Sequence, residues 1–343
     1  MEKIRKFYNN NYKLFIFLPL IIFFISLGYI FYFYFQTGDL FFKDVSLTGG
    51  TTITLFSEIN EKDLSNFLSK EFTDFEIKTI TDNTGKKSNI ILTVAEKDTN
   101  KTISLLESFL GEKLSQENSS IETTSSSLSK NFYNQLISSL ILAFFLMSLV
   151  VFLIFSKGKK IKFLAVFLTI ILAILVRFSF SSSKSSGVFA IFLFLVAAFL
   201  MVIYYKFSMP SIAVIFAAAS DIILTLFVVN LMEMKISTAG IVAFLMLLGY
   251  SVDTNVLLTT RVLKRKKTSV NEEIFKAFKT GMAMTFTSLA AIVFSLIFVY
   301  RFQSVLNQIF TVLIIGLCFD IFNTWVFNAS LIKWFVEKNE NHI

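Results

Sequence analysis

The sequence predicts a polytopic α-helical membrane protein of about eight spans, with a small α+β ferredoxin-like domain on one side. Three observations carry this. Of the 343 residues, 55% are hydrophobic and mean hydropathy is +0.69, beyond what a soluble domain shows. Apolar runs long enough to cross a bilayer recur along the chain. One polar stretch, 37–130, interrupts them directly after the first run.

The N-terminal segment MEKIRKFYNNNYK is basic and leads into an apolar run from Leu14 to Phe35. A secretory signal has a shorter core and a small-residue cleavage site, so residues 1–36 read as a tail and an uncleaved first span. The 37–130 stretch then alternates strand and helix signals. TTITLF (51–56) has the period of a strand. NEKDLSNFLSKEF (60–72) carries the stripe Leu64, Phe67 and Leu68, with Asn60 placed as an N-cap. Residues 75–97 read as a hairpin turning near Asn83-Thr84-Gly85. NKTISLLESFLG (100–111) reads as a helix ending at a glycine, and 119–129 as a last strand. The order β-α-β-β-α-β is that of the ferredoxin-like split motif. Two glycosylation sequons, at Asn100 and Asn118, are of a kind common by chance in a chain rich in Ser and Thr.

The rest, 131–343, reads as a transmembrane bundle with spans near 132–155, 161–178, 188–205, 209–230, 237–259, 281–300 and 306–335. The last is long enough for a span and an amphipathic tail around Trp334. Segments 150–167 and 199–216 echo each other loosely; a duplication and two apolar hairpins of similar composition both explain this. Basic residues gather in the N-terminal tail, SKGKKIK (156–162), YYKF (204–207) and RVLKRKK (261–267). The alternate loops carry little positive charge. The positive-inside rule then places both termini in the cytoplasm and 37–130 outside. Arg177 falls at the outer end of a span, where snorkelling is easy.

Composition also excludes. The net charge of +8 is accounted for by cytoplasmic loops, so nucleic acid is not implied. Cys318 is the single cysteine and His342 the single histidine, which leaves no disulfide framework, metal site or His-based triad. No cofactor is expected, and the chain does not read as an enzyme. GKKS (85–88) lacks the upstream glycine of a phosphate loop.

Three acids fall inside spans: Asp221, Asp253 and Asp320. A charged side chain at a helix centre costs about 2.5–3.5 kcal/mol on insertion scales and marks ion or proton pathways. Asp221 and Asp253, in adjacent spans, are expected as an ion-responsive pair. Asp320 sits in FDIFNT, which repeats the pattern of SDIILT, and Asn323 at i+3 offers it a structural polar partner. Gly249, Tyr250, Ser251 and Asn255 read as a helix-packing motif, in which a small residue permits close approach and a hydroxyl bonds across helices. Asn255 does not share a face with Asp253, being two residues on. Arg261 reads as a cytoplasmic anchor. Gly49-Gly50 reads as a turn or close backbone approach before the first strand.

Several segments, in order, resemble the archaeal-type SecF family: LTGGTTITL (47–55), SIETTSSSLSKNFYNQ (120–135), MPSIAVIFAAASDIILTL (209–226), GYSVDTNVLLTTRVLK (249–264), KTGMAMTFTSLAA (279–291) and FDIFNTWVFNASL (319–331). The resemblance implies an RND-superfamily, SecDF-like bundle. It implies an accessory role in Sec protein export driven by the proton or sodium motive force, with SecD, the SecYE(G/β) translocon and a translocating preprotein as partners in the lipid membrane. The chain departs from the family where Asp44, Ser46 and Leu47 precede the glycine pair, and where Asn255 replaces a second acid. The family has six spans, so residues 157–205 read as an extra hairpin. A small-molecule or lipid exporter of RND type is the competing reading; the small outer domain argues against it.

Overall fold

The computed structural model describes the chain apart from residues 1, 57–58, 60, 73–74, 82–86, 96–97, 181–185, 266–267, 301–304 and 341–343. The first helix is α1 (Glu2–Thr37), followed by a short turn, α2 (Val45–Thr48). The polar stretch folds as β1 (Gly50–Leu55), α3 (Glu61–Leu68), β2 (Phe75–Thr81), β3 (Lys87–Val94), α4 (Thr99–Leu110) and β4 (Ser119–Thr124). The membrane helices follow: α5 (Ser126–Phe155), α6 (Lys159–Ser179), α7 (Ser186–Phe207), α8 (Met209–Leu231), α9 (Thr238–Leu263), α10 (Val270–Val299) and α11 (Val305–Phe322). A π-helical turn, Asn323–Asn328, carries α11 into α12 (Ala329–Glu340). Among the described residues eight helices are long and apolar enough to cross a membrane.

The sheet is antiparallel with strand order β2-β3-β1-β4, so the first strand lies between the third and fourth. Alternation along β1 turns Thr51, Ile53 and Leu55 inward. Ile53 sits opposite Leu92 on one side and Ile121 on the other. Leu64 and Leu68 of α3 and Leu106 of α4 close the same core. Gly111 ends α4 in the left-handed region (φ 73°), its amide donating to the Glu107 carbonyl at 3.0 Å. Lys101 of α4 reaches Glu71 at 2.7 Å and holds that carboxyl below its ordinary range. This contribution is present above the ordinary carboxylate pKa and is lost as pH falls through the lowered one. Asn118 is engaged within its own turn, accepting from the Ser115 amide at 2.8 Å and donating to the Lys113 carbonyl at 3.0 Å. Asn60, the turn at Asn83-Thr84-Gly85, the start of GKKS, Lys266, Lys267 and His342 lie outside the described residues.

The domain is stitched to the bundle through backbone. Residues 40–46 run beside the α8–α9 connection. Asp44 N donates to Ile236 O at 2.9 Å and Ile236 N to Phe42 O at 2.7 Å. Asn230 at the end of α8 donates to Leu40 O at 2.9 Å. Gly49, at φ 83°, lies so close to α5 that a Cβ would stand 2.4 Å from Ser126 Cα. A Cβ on Gly50 would stand 2.3 Å from the Val94 carbonyl oxygen on β3.

Within the bundle, burial separates inner from outer helices. The apolar windows of α8 and α9 are 56% and 50% buried, against 22% and 17% for α6 and α7. Small residues explain α8: Ser211, Ala213, Ala217, Ala218 and Ser220 are buried and let neighbours approach. The pair α6 and α7 packs on α5 around Phe152, Ala165, Leu172 and Tyr204. It turns Phe163, Phe167, Phe192, Phe194 and Phe199 outward. One boundary corrects the sequence reading. The span placed at 281–300 belongs to a helix that begins at Val270, because Ser269 caps it, accepting from the Glu272 amide, and Val270, Ile274 and Ala277 bury an apolar stripe. In the final segment, the expected span and tail are separated by the π-turn.

Gly50→Ala should cost the sheet domain about 1–3 kcal/mol, because the strand must move off β3. Hydrogen exchange of the β1 and β3 amides measures this, with Gly28→Ala as control, since nothing lies within 4 Å of a Cβ there. Unchanged protection in Gly50→Ala would contradict the close approach.

Candidate functional site

Helices α8, α9 and α11 with the π-turn enclose a group of polar side chains in the apolar bundle. Asp221, Ser251, Asn255, Asp320, Asn323, Thr324 and Asn328 are each 1% exposed or less, and Thr254 5%. On α9, Ser251, Thr254, Asn255 and Leu258 recur at helical spacing and form one inward face. On α8, Asp221 faces them, and the Thr225 hydroxyl turns back onto the Asp221 carbonyl at 2.6 Å.

The hydrogen bonds form one network. Asp221 accepts from the Ser251 hydroxyl on one oxygen and from Asn323 Nδ2 at 2.6 Å on the other. Asp320 accepts from Thr254 at 3.0 and 3.1 Å and from Thr324 at 2.9 Å. Asn255 Nδ2 lies between the acids, 2.8 Å from the Ser251 carbonyl and 3.5 Å from Asp320 Oδ1. Asn328 Nδ2 donates to Asn255 Oδ1 at 2.7 Å. All these donors are neutral. Among the described residues no lysine or arginine pairs with either acid. An ionised carboxylate has about four acceptor sites, and neither acid fills them with donors from the described residues. Among the described residues the buried oxygens Asn323 Oδ1 and Asn328 Oδ1 have no donor. Such a site can take up a proton, a water or a small cation without rebuilding the helices.

The π-turn builds half of it. An i→i+5 turn within a helix resets which side chains share a face, and such turns occur frequently at functional sites. Here Asn323 and Thr324 reach the acids, and Asn328 reaches Asn255 beside them. The Trp325 ring packs where a Cβ on Gly281 would stand, 2.5 Å from it, and holds α10 against the turn.

The geometry corrects the expected pairing. Asp221 is joined through Ser251 and Asn255 to Asp320, not to Asp253. Asp253 is exposed on the other side of α9, because two residues' separation carries it off the Ser251 face. Asn323 donates to Asp221 rather than to Asp320. The packing motif divides: Ser251 and Asn255 are inside, while Gly249 and Tyr250 are on the exposed face, with nothing within 4 Å of a Cβ on Gly249. Thr254, Thr324 and Asn328 went unread; for Thr254 the signal was its spacing with Ser251 and Asn255. Arg261 lies in the last turn of α9, away from the network, and Gly49 and Gly50 lie at the domain junction.

Residues 175–338 match the family described as protein export membrane protein SecD/SecF, C-terminal. That match begins within α6 and takes in α7, part of the 157–205 hairpin. The protein-export membrane protein SecF of Methanothermobacter thermautotrophicus is 46% identical over 138 residues, covering 39% of this chain and 48% of that one. SecF of Methanocaldococcus jannaschii is 43% identical over 142 residues, covering 40% and 50%. The chain thus spans about half the length of the curated relatives it matches. Among solved structures, SecDF of Thermus thermophilus, a translocon-associated membrane protein, covers 96% of this chain at TM-score 0.56 and 16% identity, with 38% of its own length matched. Its super-membrane-facing form superposes over 97% at TM-score 0.51 and 15% identity, with 39% of that chain covered.

Replacing Asn323 with Ala leaves Asp221 a single donor, an expected loss of about 1–3 kcal/mol in unfolding from detergent micelles. Asp253→Asn, on the exposed face, should cause no such loss. Equal losses would place Asp253 in the interior and contradict the arrangement. The membrane half of the chain, residues 175–338, therefore carries the match to the SecD/SecF C-terminal family, on a fold that is that of SecDF.

Proposed function

We propose that this protein is an accessory subunit of Sec protein export, working with a SecD chain and using a proton or sodium gradient to promote preprotein passage. The observation that carries the reading is the network of Asp221 on α8 and Asp320 on α11, two buried carboxyls whose side-chain donors among the described residues are all neutral and come from α9 and the π-turn. Charge at that depth is expensive, so a change of protonation or ion occupancy changes the energy of the helix arrangement. The donors that must regroup, Ser251 and Asn255 on α9 and Asn323 on the π-turn, belong to different elements from the acids on α8 and α11. Ion binding is thereby converted into relative movement of α8, α9 and α11, a two-state element of the kind gating requires. The resemblance to archaeal SecF names the work such movement would do.

Asp253 supports the partner. It lies on an exposed stripe of α9 with Val242, Met246, Gly249 and Tyr250. A bare carboxylate facing lipid is costly, while a glycine beside it admits a close helix. A second membrane chain, SecD by this reading, would cover the stripe and supply the donor. The translocon and the preprotein are proposed as further partners on the same grounds. Since the basic segments gather at the end of the bundle opposite the sheet, both termini are assigned to the cytoplasm and the sheet domain to the outside.

Asp221→Asn and Asp320→Asn should each abolish gradient-dependent stimulation of preprotein export in vesicles containing the SecD partner. Undiminished stimulation in both variants would sink the reading. Imposing a proton gradient and a sodium gradient separately identifies the ion. For orientation, a cysteine at Lys157 in a Cys318→Ala background should react with an impermeant thiol reagent only from the cytoplasmic side, and one at Glu122 only from outside. The reverse pattern would invert the assignment.

A further inference from the structure

The first turns of α5 carry an arrangement that the carboxyl network does not use. Asn131, Asn134, Gln135, Ser138 and Ser139 recur at i, i+3, i+4, i+7 and i+8, a polar stripe along one side of a membrane helix. The last turn of α6 sets Arg177 against that stripe, and the two helices flank an open cleft of about 560 Å³ there. Ser138 and Ser139 satisfy their own hydroxyls on the carbonyls of Asn134 and Gln135, at 2.6 and 2.8 Å. The amides of Asn131, Asn134 and Gln135 remain without a side-chain hydrogen bond among the described residues, and Arg177 remains without an ion pair. A second groove, about 450 Å³ and almost wholly apolar, continues from the first toward the bilayer centre. The two share Ala173 and Arg177; Leu146, Leu149, Val166 and Ile170 line the deeper one.

A polar cleft with one arginine, opening into an apolar groove along the membrane normal, has the form of a phospholipid. We propose that this cleft between α5 and α6 binds an anionic phospholipid, its phosphate at Arg177, its polar headgroup against the amides of α5 and one hydrocarbon chain in the deeper groove. Arginine suits this role, because its planar fork pairs two donors with a phosphate. Arg177 also lies favourably at a helix C-terminus, but the helix dipole explains neither the stripe opposite nor the apolar continuation. A bound lipid would fasten the peripheral α6–α7 pair, whose membrane-facing sides are mostly bare of protein, to the inner helix α5.

The test is native mass spectrometry of the full chain, delipidated in detergent and titrated in turn with phosphatidylglycerol, the diacylglycerol of the same chains, and inorganic phosphate. Phosphatidylglycerol should bind at least about fivefold more tightly than the diacylglycerol, the ~1 kcal/mol that one basic residue contributes toward an anionic headgroup. Arg177→Gln should remove that preference and Arg177→Lys retain most of it. Leu149→Trp, which fills the tail groove, should weaken phosphatidylglycerol while leaving the circular dichroism spectrum unchanged. Equal binding of both lipids, or a preference that survives Arg177→Gln, would overturn the proposal. Saturable inorganic phosphate binding as tight as the lipid's would place a free anion there and overturn it as well.

Discussion

Two carboxyls are kept away from water by three helices, and the arrangement of the bundle's centre answers to that constraint. Hydrocarbon offers no hydrogen bonds, so each lone pair of Asp221 and Asp320 depends on what the chain brings to it. The chain brings hydroxyls and amides. Each donor comes from a position fixed by helix geometry, and Asn255 links them: it touches Ser251, Asp320 and Asn328. Such a network holds together as a unit and changes as a unit. This is why a modest chemical event at one oxygen can be felt by α8, α9 and α11 together.

The outer parts serve this centre at a distance. Small residues on α8 allow α9 and α11 to come close enough for hydrogen bonds. The π-turn supplies three of the polar side chains, and Trp325 against Gly281 keeps it in place. The strand-like pairing of residues 42–44 with Ile236 fixes the sheet domain to the α8–α9 connection, the same connection whose helices carry Asp221 and Ser251. A movement of α8 against α9 therefore begins at the root of the domain. That continuity gives the domain a physical route to the carboxyl network.

Most of the architecture was legible because hydrophobic length and strand period are strong local signals. The antiparallel β-α-β-β-α-β domain and the membrane helices follow from them. The start of α10 lies outside the apolar run at 281–300 because Asn271, Glu272 and Glu273 are polar, whereas capping at Ser269 and the stripe Val270, Ile274 and Ala277 make them helix. The site was half legible. Asp221 and Asp320 stood out as acids in apolar runs, but their pairing did not, since adjacency in sequence pointed to Asp253. A turn of 100° per residue separates Asp253 from Ser251 and Asn255, and that spacing was readable. The role of Asn323 was not, because a π-turn changes the face of a helix without leaving a mark in hydrophobic period.

The hydrogen-bond network makes Asp221 and Asp320 energetically one site. A double-mutant cycle of Asp221→Asn and Asp320→Asn, read from unfolding free energies in detergent, tests it directly. Shared donors predict that the two losses fail to add by more than about 0.5 kcal/mol, the range found for residues of one network. Strict additivity would show two independent structural acids instead.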